Sequence, residues 1–359
     1  MYKLLFPTRD TSIYQRHPDR NTGLDQILEL TKITSGSAIE DMVGQSEYWG
    51  ETLNSRFLLD FDLSAVSASI VSGEITNPQF YLKLNATDAV ALPMSYTLMA
   101  HPISGSWTNG TGYYNNDFEV TNGTSWNYRY SLHDSTPWTQ LGGDFYTGSL
   151  QSASQSFNYT SPDVHMDVTN IVRQWLSGSI PQNGMIIKHT NTAETGSEVL
   201  GSLKFFSKDT HTIWIPRLEV FWNNVDVTGT GSITEVSSDD YSVYIKNLKD
   251  SYKEGEVAKL RVGVRPTFPT PTYTTTNAYL ASWRLPTTSY FKVTDVVTDE
   301  ELIPFHADAT RVDCDTNGNY VVLPMDTFLP LRYYKIVFKV VDGSEIKYID
   351  DNYTFKVDI

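Results

Sequence analysis

The chain has 359 residues, 40% apolar and 19% charged, with a formal charge of −15 and a pI near 4.8. That is length for two or three globular domains, each able to bury its own core, and the acidic balance argues against a non-specific grip on nucleic acid or anionic lipid. Cys314 is the single cysteine, so there is no intrachain disulfide and no cysteine-rich metal site; no apolar run approaches the roughly 18–20 residues that span a bilayer.

Alternation of apolar and polar residues dominates the first two-thirds. The start, "LFPTRDTSIYQRHPDRNTGLDQILELTK", lacks the basic and apolar regions of a signal peptide. It reads as a strand over Thr11–Tyr14, a polar loop with Pro18, Asn21 and Gly23, and a strand over Gln26–Ile33. In "SRFLLDFDL" (Ser55–Leu63), Phe57, Leu59, Phe61 and Leu63 share one face, with Asp60 and Asp62 on the other. "PQFYLKLNA" points Phe80, Leu82 and Leu84 inward, and further strands are expected over Met94–Ile103, Asn183–Thr190, Ser202–Lys208 and Pro216–Trp222. Period two on this scale predicts half-buried antiparallel sheets. "DVTNIVRQWLSG" breaks the pattern: Ile171, Val172, Trp175 and Leu176 lie on one helical face, Asp167 or Thr169 can cap the start, and Gly178 can end it. One short helix is expected to lid the sandwich, with Trp175 in the core.

Between Trp107 and Pro162 the periodicity is lost. Asn-Gly and Gly-Gly steps alternate with Trp107, Tyr113, Tyr114, Trp126, Tyr128, Tyr130 and Trp138. The segment is too long for an ordinary connection and reads as a compact excursion (104–162). Its aromatics either pack a core of their own or form a surface for sugar or protein. Apolar content then falls around Asn223–Asp240, the expected linker. Six or seven strands in the last 120 or so residues match an immunoglobulin-like sandwich. The reading is therefore all-β: a jelly-roll-like β-sandwich with one short helix (1–224), a linker (225–238) and a smaller Ig-like β domain (239–359).

Few residues suggest chemistry. "DCDTNG" (Asp313–Gly318) places oxygens of Asp313, Asp315 and Asn317 as in the first half of a calcium loop, but Pro324 stands where the bidentate Glu belongs. The alternative is a hairpin with Asn317-Gly318 in a type I′ turn and the Asp side chains in solvent. His17, His101, His133, His165, His189, His211 and His306 are scattered without the spacing of a zinc site, and His17 reads as solvated. Asp60 with Asp62, and Asp299 with Glu300 and Glu301, are the carboxylate groupings available for glycoside hydrolysis; both read as solvated. Five N-x-S/T sequons, at Asn85, Asn109, Asn122, Asn158 and Asn352, read as chance in a Thr-rich chain. No catalytic, cofactor or metal residue is assigned, and no cofactor is expected.

The order of landmarks in 1–222 resembles the disaggregatase-related domain family known as DNRLRE. They are "RDTSIYQ…NTGLDQILEL", "RFLLDFDL", "PQFYLKL", "HPISGSWTNGTG", "MDVTNIVRQWLSGSIPQNG" and "FFSKDTHTIWIPRLEVFW". The resemblance implies a jelly-roll-like sandwich acting in adhesion or glycan contact rather than catalysis. The start, with a second β domain behind it, also resembles virion structural proteins of tailed phages, marine myoviruses in particular. That implies a non-enzymatic part of a tail, collar, fibre or capsid, made in the host cytoplasm and present on the virion in symmetric multiple copies. Its expected partners are other virion proteins or a surface glycan, with no nucleic acid and no membrane insertion. The loop Gln15–Asp25 is then expected to be a contact surface.

Overall fold

The computed structural model describes residues 1–34, 52–115, 120–130, 136–223, 233–236, 240–268 and 283–359. They form two compact units: Leu5–Ser72 with Gln79–Glu219, and Met1–Leu4 with Gly73–Pro78 and Val220–Ile359. The second unit takes in two short N-terminal pieces besides the C-terminal stretch. In chain order the strands to residue 221 are β1 (Tyr2–Leu5), β2 (Pro7–Tyr14), β3 (Ile27–Thr34), β4 (Thr52–Phe61), β5 (Gln79–Leu84), β6 (Ala86–Val90), β7 (Ser95–Pro102), β8 (Ala153–Asn158), β9 (Val164–Asp167), β10 (Met185–His189), β11 (Gly201–Phe206) and β12 (Arg217–Phe221).

The fold is an all-β sandwich. In the first unit one sheet runs β6-β11-β3-β4-β10-β7-β8. The long strand β4 shares one edge between two partners: Thr52–Asn54 pair with β3 and Ser55–Phe61 with β2. The opposing sheet contains β5 beside β9 and, next to β5, the start of β12. Phe57, Phe80, Leu82, Leu84, Phe205 and Leu218 are fully buried in the core, the Phe57 and Phe205 rings 5.7 Å apart. The alternation expected for β5 is found as predicted.

Three α-helices occur among the described residues rather than one: α1 (Ser64–Val71), α2 (Thr169–Leu176) and α3 (Asn191–Thr195). The expected helix is α2. The Asp167 carboxylate accepts the Thr169 N–H (2.9 Å), Ile171, Val172 and Trp175 are buried, and Gly178 closes it at φ +71°. The other two escaped prediction because α1 buries only Val66 and α3 only Glu194, which leaves no apolar stripe to read.

The second unit holds β13 (Thr234–Glu235), β14 (Tyr241–Ile245), β15 (Ser251–Lys253), β16 (Val257–Pro266), β17 (Trp283–Arg284), β18 (Ser289–Asp295), β19 (Glu301–Ile303), β20 (Asp313–Asp315), β21 (Gly318–Pro324), β22 (Tyr333–Asp342) and β23 (Glu345–Asp358). They form sheets β14-β16-β21-β20 and β15-β23-β22-β18-β19, with β13 paired parallel to β17. Most of the expected linker 225–238 lies outside the described residues. Thr234–Glu235 is strand instead, and Val236 behind it is buried.

The outer face of β4 departs most from its alternation. Leu58 is fully buried and clusters with Ile13, Ile103, Ile186, Trp107, Trp126 and Trp138. The irregular segment that begins at residue 104 therefore lies on the sandwich as a third layer, called here the ledge. Besides its tryptophans, a buried side chain of the 15–25 loop fastens it. The Asn21 amide donates to the carbonyls of Asn109 (2.7 Å) and Thr124 (2.8 Å), and its oxygen accepts N–H groups from Gly23 (3.1 Å) and Gly112 (2.9 Å). A Cβ at Gly112 would stand 2.1 Å from the Asn21 carbonyl oxygen, so the backbones meet where only glycine fits. Asn21, Thr22 and Gly23 are buried, so the middle of this loop is an internal fastener and not the expected contact surface. Asn21→Ala should cost about 1–3 kcal/mol, because it leaves buried partners unsatisfied; urea unfolding measures it.

Asp10 couples β2 to the turn after β11, accepting the Lys208 N–H at 2.7 Å. Burial pushes its carboxyl from 3.8 up to about 7, with the Lys208 N–H acting in opposition. A carboxyl raised on folding favours the folded state fully below its unfolded pKa, and loses that contribution as pH rises through the folded value. The urea midpoint should fall between about pH 4 and about pH 7, and Asp10→Asn should flatten the fall. An unchanged slope in the variant would assign the dependence to other buried carboxyls, such as Glu29.

Candidate functional site: a polar cleft beside the ledge

Between the ledge and α3 lies a cleft of about 650 Å³. Strands β4 and β10 supply its floor through Arg56 and Lys188, which rise from their outer faces. Thr139, Gln140, Asp144, Phe145 and Thr147 form one wall, and Asn191, Glu194 and Thr195 the other. Helix α3 positions Glu194: the Thr190 hydroxyl accepts the Ala193 N–H (3.2 Å) at its start, and the Lys32 ammonium donates to the Ala193 and Gly196 carbonyls at its end.

Glu194 holds both floor cations. It takes Arg56 in a fork, Nε at 2.9 Å and Nη2 at 2.7 Å, while Lys188 Nζ approaches to 2.7 Å. The Lys188 side chain is 1% exposed and that of Glu194 6%. Burial pulls the Lys188 ammonium below its usual range, with the Glu194 charge opposing. Arg56 also donates to the Gly142 carbonyl (2.6 Å) and lies 5.0 Å above the Trp126 ring; Lys188 donates to Asn191 Oδ1 and lies 5.1 Å above Phe145. Both Asp144 oxygens are occupied by backbone N–H groups, those of Thr139 and Gln140 at 2.7 Å each.

The expected aromatic surface divides. Trp107, Trp126 and Trp138 are 1%, 6% and 3% exposed and hold the ledge down, so they offer no face to a sugar. Trp107 Nε1 donates to the Asn183 carbonyl (2.7 Å), and Trp138 Nε1 to that of Ser125 (3.0 Å). Tyr113 is exposed; Tyr128 and Tyr130 are half-buried, and the Tyr114 ring packs 4.9 Å from that of Tyr14. His17 packs edge-on against Tyr114 rather than standing in solvent, and burial together with Arg20 and Arg16 lowers it to about 4.

Asp60 is not a solvated carboxylate. It is 8% exposed and receives Arg9 Nε at 2.9 Å, while the Arg9 guanidinium lies 4.5 Å over Trp107. Asp62 is exposed and its oxygen accepts the Ser64 N–H (2.9 Å). Asp299 sits in a turn at φ +56°, and Glu301 pairs with Lys292 (2.6 Å). In "DCDTNG" the hairpin is β20–β21, with Asp315 opposite Gly318. Gly318 has φ +108° and Asn317 a negative φ, so the turn is not type I′. Asp313 is buried, and the Asp315 carboxylate is held well below its usual range by Arg261 (2.6 Å) and Lys259 (3.0 Å). Neither aspartate is simply in solvent. His189 is buried on β10, and neither ring nitrogen has a partner among the described residues; burial lowers it to about 4. No three His, Cys, Asp or Glu residues converge as a metal site among the described residues, and His133 lies outside them.

Sequence reasoning missed Arg56, Lys188 and Glu194. The available signal was a cation on the outward parity of two adjacent strands, in "SRFLL" and "MIIKH".

No family model and no curated protein matches the chain. Among solved structures it is similar to β-glucuronidase 3 of Bacteroides uniformis (7% identity, TM-score 0.18, covering 98% of this chain and 35% of that one). It is also similar to the β-glucuronidase of Parabacteroides merdae (11% identity, TM-score 0.17, covering 99% and 36%). The chain thus spans about a third of those proteins, and similarity at this level defines neither fold nor activity.

Proposed function

We propose that the protein is a non-catalytic structural component of a phage virion, working through contacts with neighbouring virion proteins in symmetric multiple copies. The observation that supports this reading is the ledge. A long irregular segment is fixed to the sandwich by three buried tryptophans and by the Asn21 network, which makes a stiff surface of fixed shape out of a loop. Rigid, pre-ordered surfaces lose little entropy on assembly. Mass spectrometry of purified particles tests it: the chain is expected among the virion proteins, and its absence from particles when abundant in lysate overturns the reading.

A second reading, carbohydrate contact on a particle or cell surface, is favoured by the cleft, whose walls are hydroxyl- and amide-rich. Glycan-array binding that weakens in Gln140→Ala supports it, and an array without signal overturns it.

A further inference from the structure

The cleft can be read further from its unused hydrogen-bond groups. Its carboxylates are engaged: Glu194 accepts both floor cations, and each Asp144 oxygen accepts one backbone N–H. Its cations are only partly so. A guanidinium carries five N–H donors and an ammonium three. Among the described residues Arg56 uses three, toward Glu194 twice and Gly142 once, and Lys188 uses two, toward Glu194 and Asn191. The floor thus carries two positive charges, Glu194 and the wall carboxylate of Asp144 balance them in number, and the donors left over belong to the floor. Above it the walls offer Thr139, Gln140, Thr147, Asn191 and Thr195, and among the described residues Leu141 is the only aliphatic one in the lining. Donors below and hydroxyls and amides around suit a hydroxyl-rich ligand bearing one negative group. They suit an extended acidic peptide less, whose apolar side chains would meet polar walls. The volume falls within the roughly 300–1,000 Å³ of small-molecule sites.

We infer that the cleft binds a saccharide carrying an anionic substituent, whose charged oxygens take the spare N–H groups of Arg56, with the Lys188 charge behind it, while its hydroxyls meet Gln140, Thr147 and Asn191. This rests on the carbohydrate reading and names its ligand class. The anionic group is a carboxylate or a sulfate ester; both are acceptor-only and both match these donors.

The test is an NMR or calorimetric titration of the intact protein with galacturonate, galactose 6-sulfate, galactose and a glutamate tripeptide. One or both acidic sugars are expected to bind at least roughly tenfold more tightly than galactose, the size of one lost charged hydrogen bond, and the preferred one identifies the group. Gln140→Ala with Thr147→Ala, both on the exposed wall, should weaken that binding without lowering the melting temperature. If galactose binds as well as the acidic sugars, the charge assignment fails while the carbohydrate reading stands. If the peptide binds most tightly, or the double variant leaves acidic-sugar affinity intact, the ligand class or the site is wrong. If nothing binds, the inference falls.

Discussion

Trp107→Ala should lower the stability of the first unit by about 3–5 kcal/mol, the range for truncating a large buried aromatic. The residue is 1% exposed, its indole N–H is committed to the Asn183 carbonyl, and Arg9 covers its face while Asp60 holds Arg9. Removing the ring therefore opens a cavity and also uncovers a half-buried ion pair. Chemical unfolding followed by tryptophan fluorescence measures the loss. Limited proteolysis should locate it, with new cleavage inside the ledge before any in β4 or β10. A loss below about 1 kcal/mol would mean that the ledge is not anchored by its tryptophans.

Glu194→Ala is the second large effect, again about 3–5 kcal/mol, because it leaves two buried cations without their shared carboxylate. With Glu194 gone, nothing in the triad offsets the burial that already pulls the Lys188 ammonium down, so Lys188 should shed its proton at a lower pH than in the native protein. Stability of the variant should then rise with pH as that proton leaves, a trend opposite in sign to the Asp10 contribution. Replacing the whole triad, Arg56→Met with Lys188→Met and Glu194→Leu, should restore much of the stability, since the desolvation cost goes with the charges. The same triple variant should lose affinity for acidic sugars. Denaturation midpoints of the single and triple variants, compared over pH, separate these contributions.

The strands were legible because their inward residues alternate. Phe80, Leu82 and Leu84 fall where period two puts them, and α2 is readable because Ile171, Val172 and Trp175 repeat on one face. Leu58 and Ile186 were equally visible, but an apolar residue on the outward parity carries no statement of what covers it. Here the cover is a segment without periodicity, so propensity had nothing to work on. The cleft was hidden for a related reason. Arg56, Lys188 and Glu194 are far apart in the chain and meet only because β4 pairs with β10 in a register that sets Phe57 opposite Ile187. The "DCDTNG" stretch shows the converse case. Its local pattern suggested a cation, and the cations that came are Arg261 and Lys259 of a neighbouring strand.

The fastening of the ledge also bears on the order in which the polypeptide can mature. Asn21 waits for Thr124, 103 residues later, and Asp10 for the backbone of Lys208, 198 residues later. At about 5–20 residues per second of synthesis, Thr124 emerges roughly 5–20 s after Asn21, and Lys208 roughly 10–40 s after Asp10. Until the ledge emerges, the outward apolar residues Ile13 of β2 and Leu58 of β4 stand uncovered on the ribosome. A newborn chain is therefore most exposed to chaperone capture, or to pairing with a neighbouring copy, before the ledge arrives, and slow codons ahead of residue 104 should lengthen that vulnerable window.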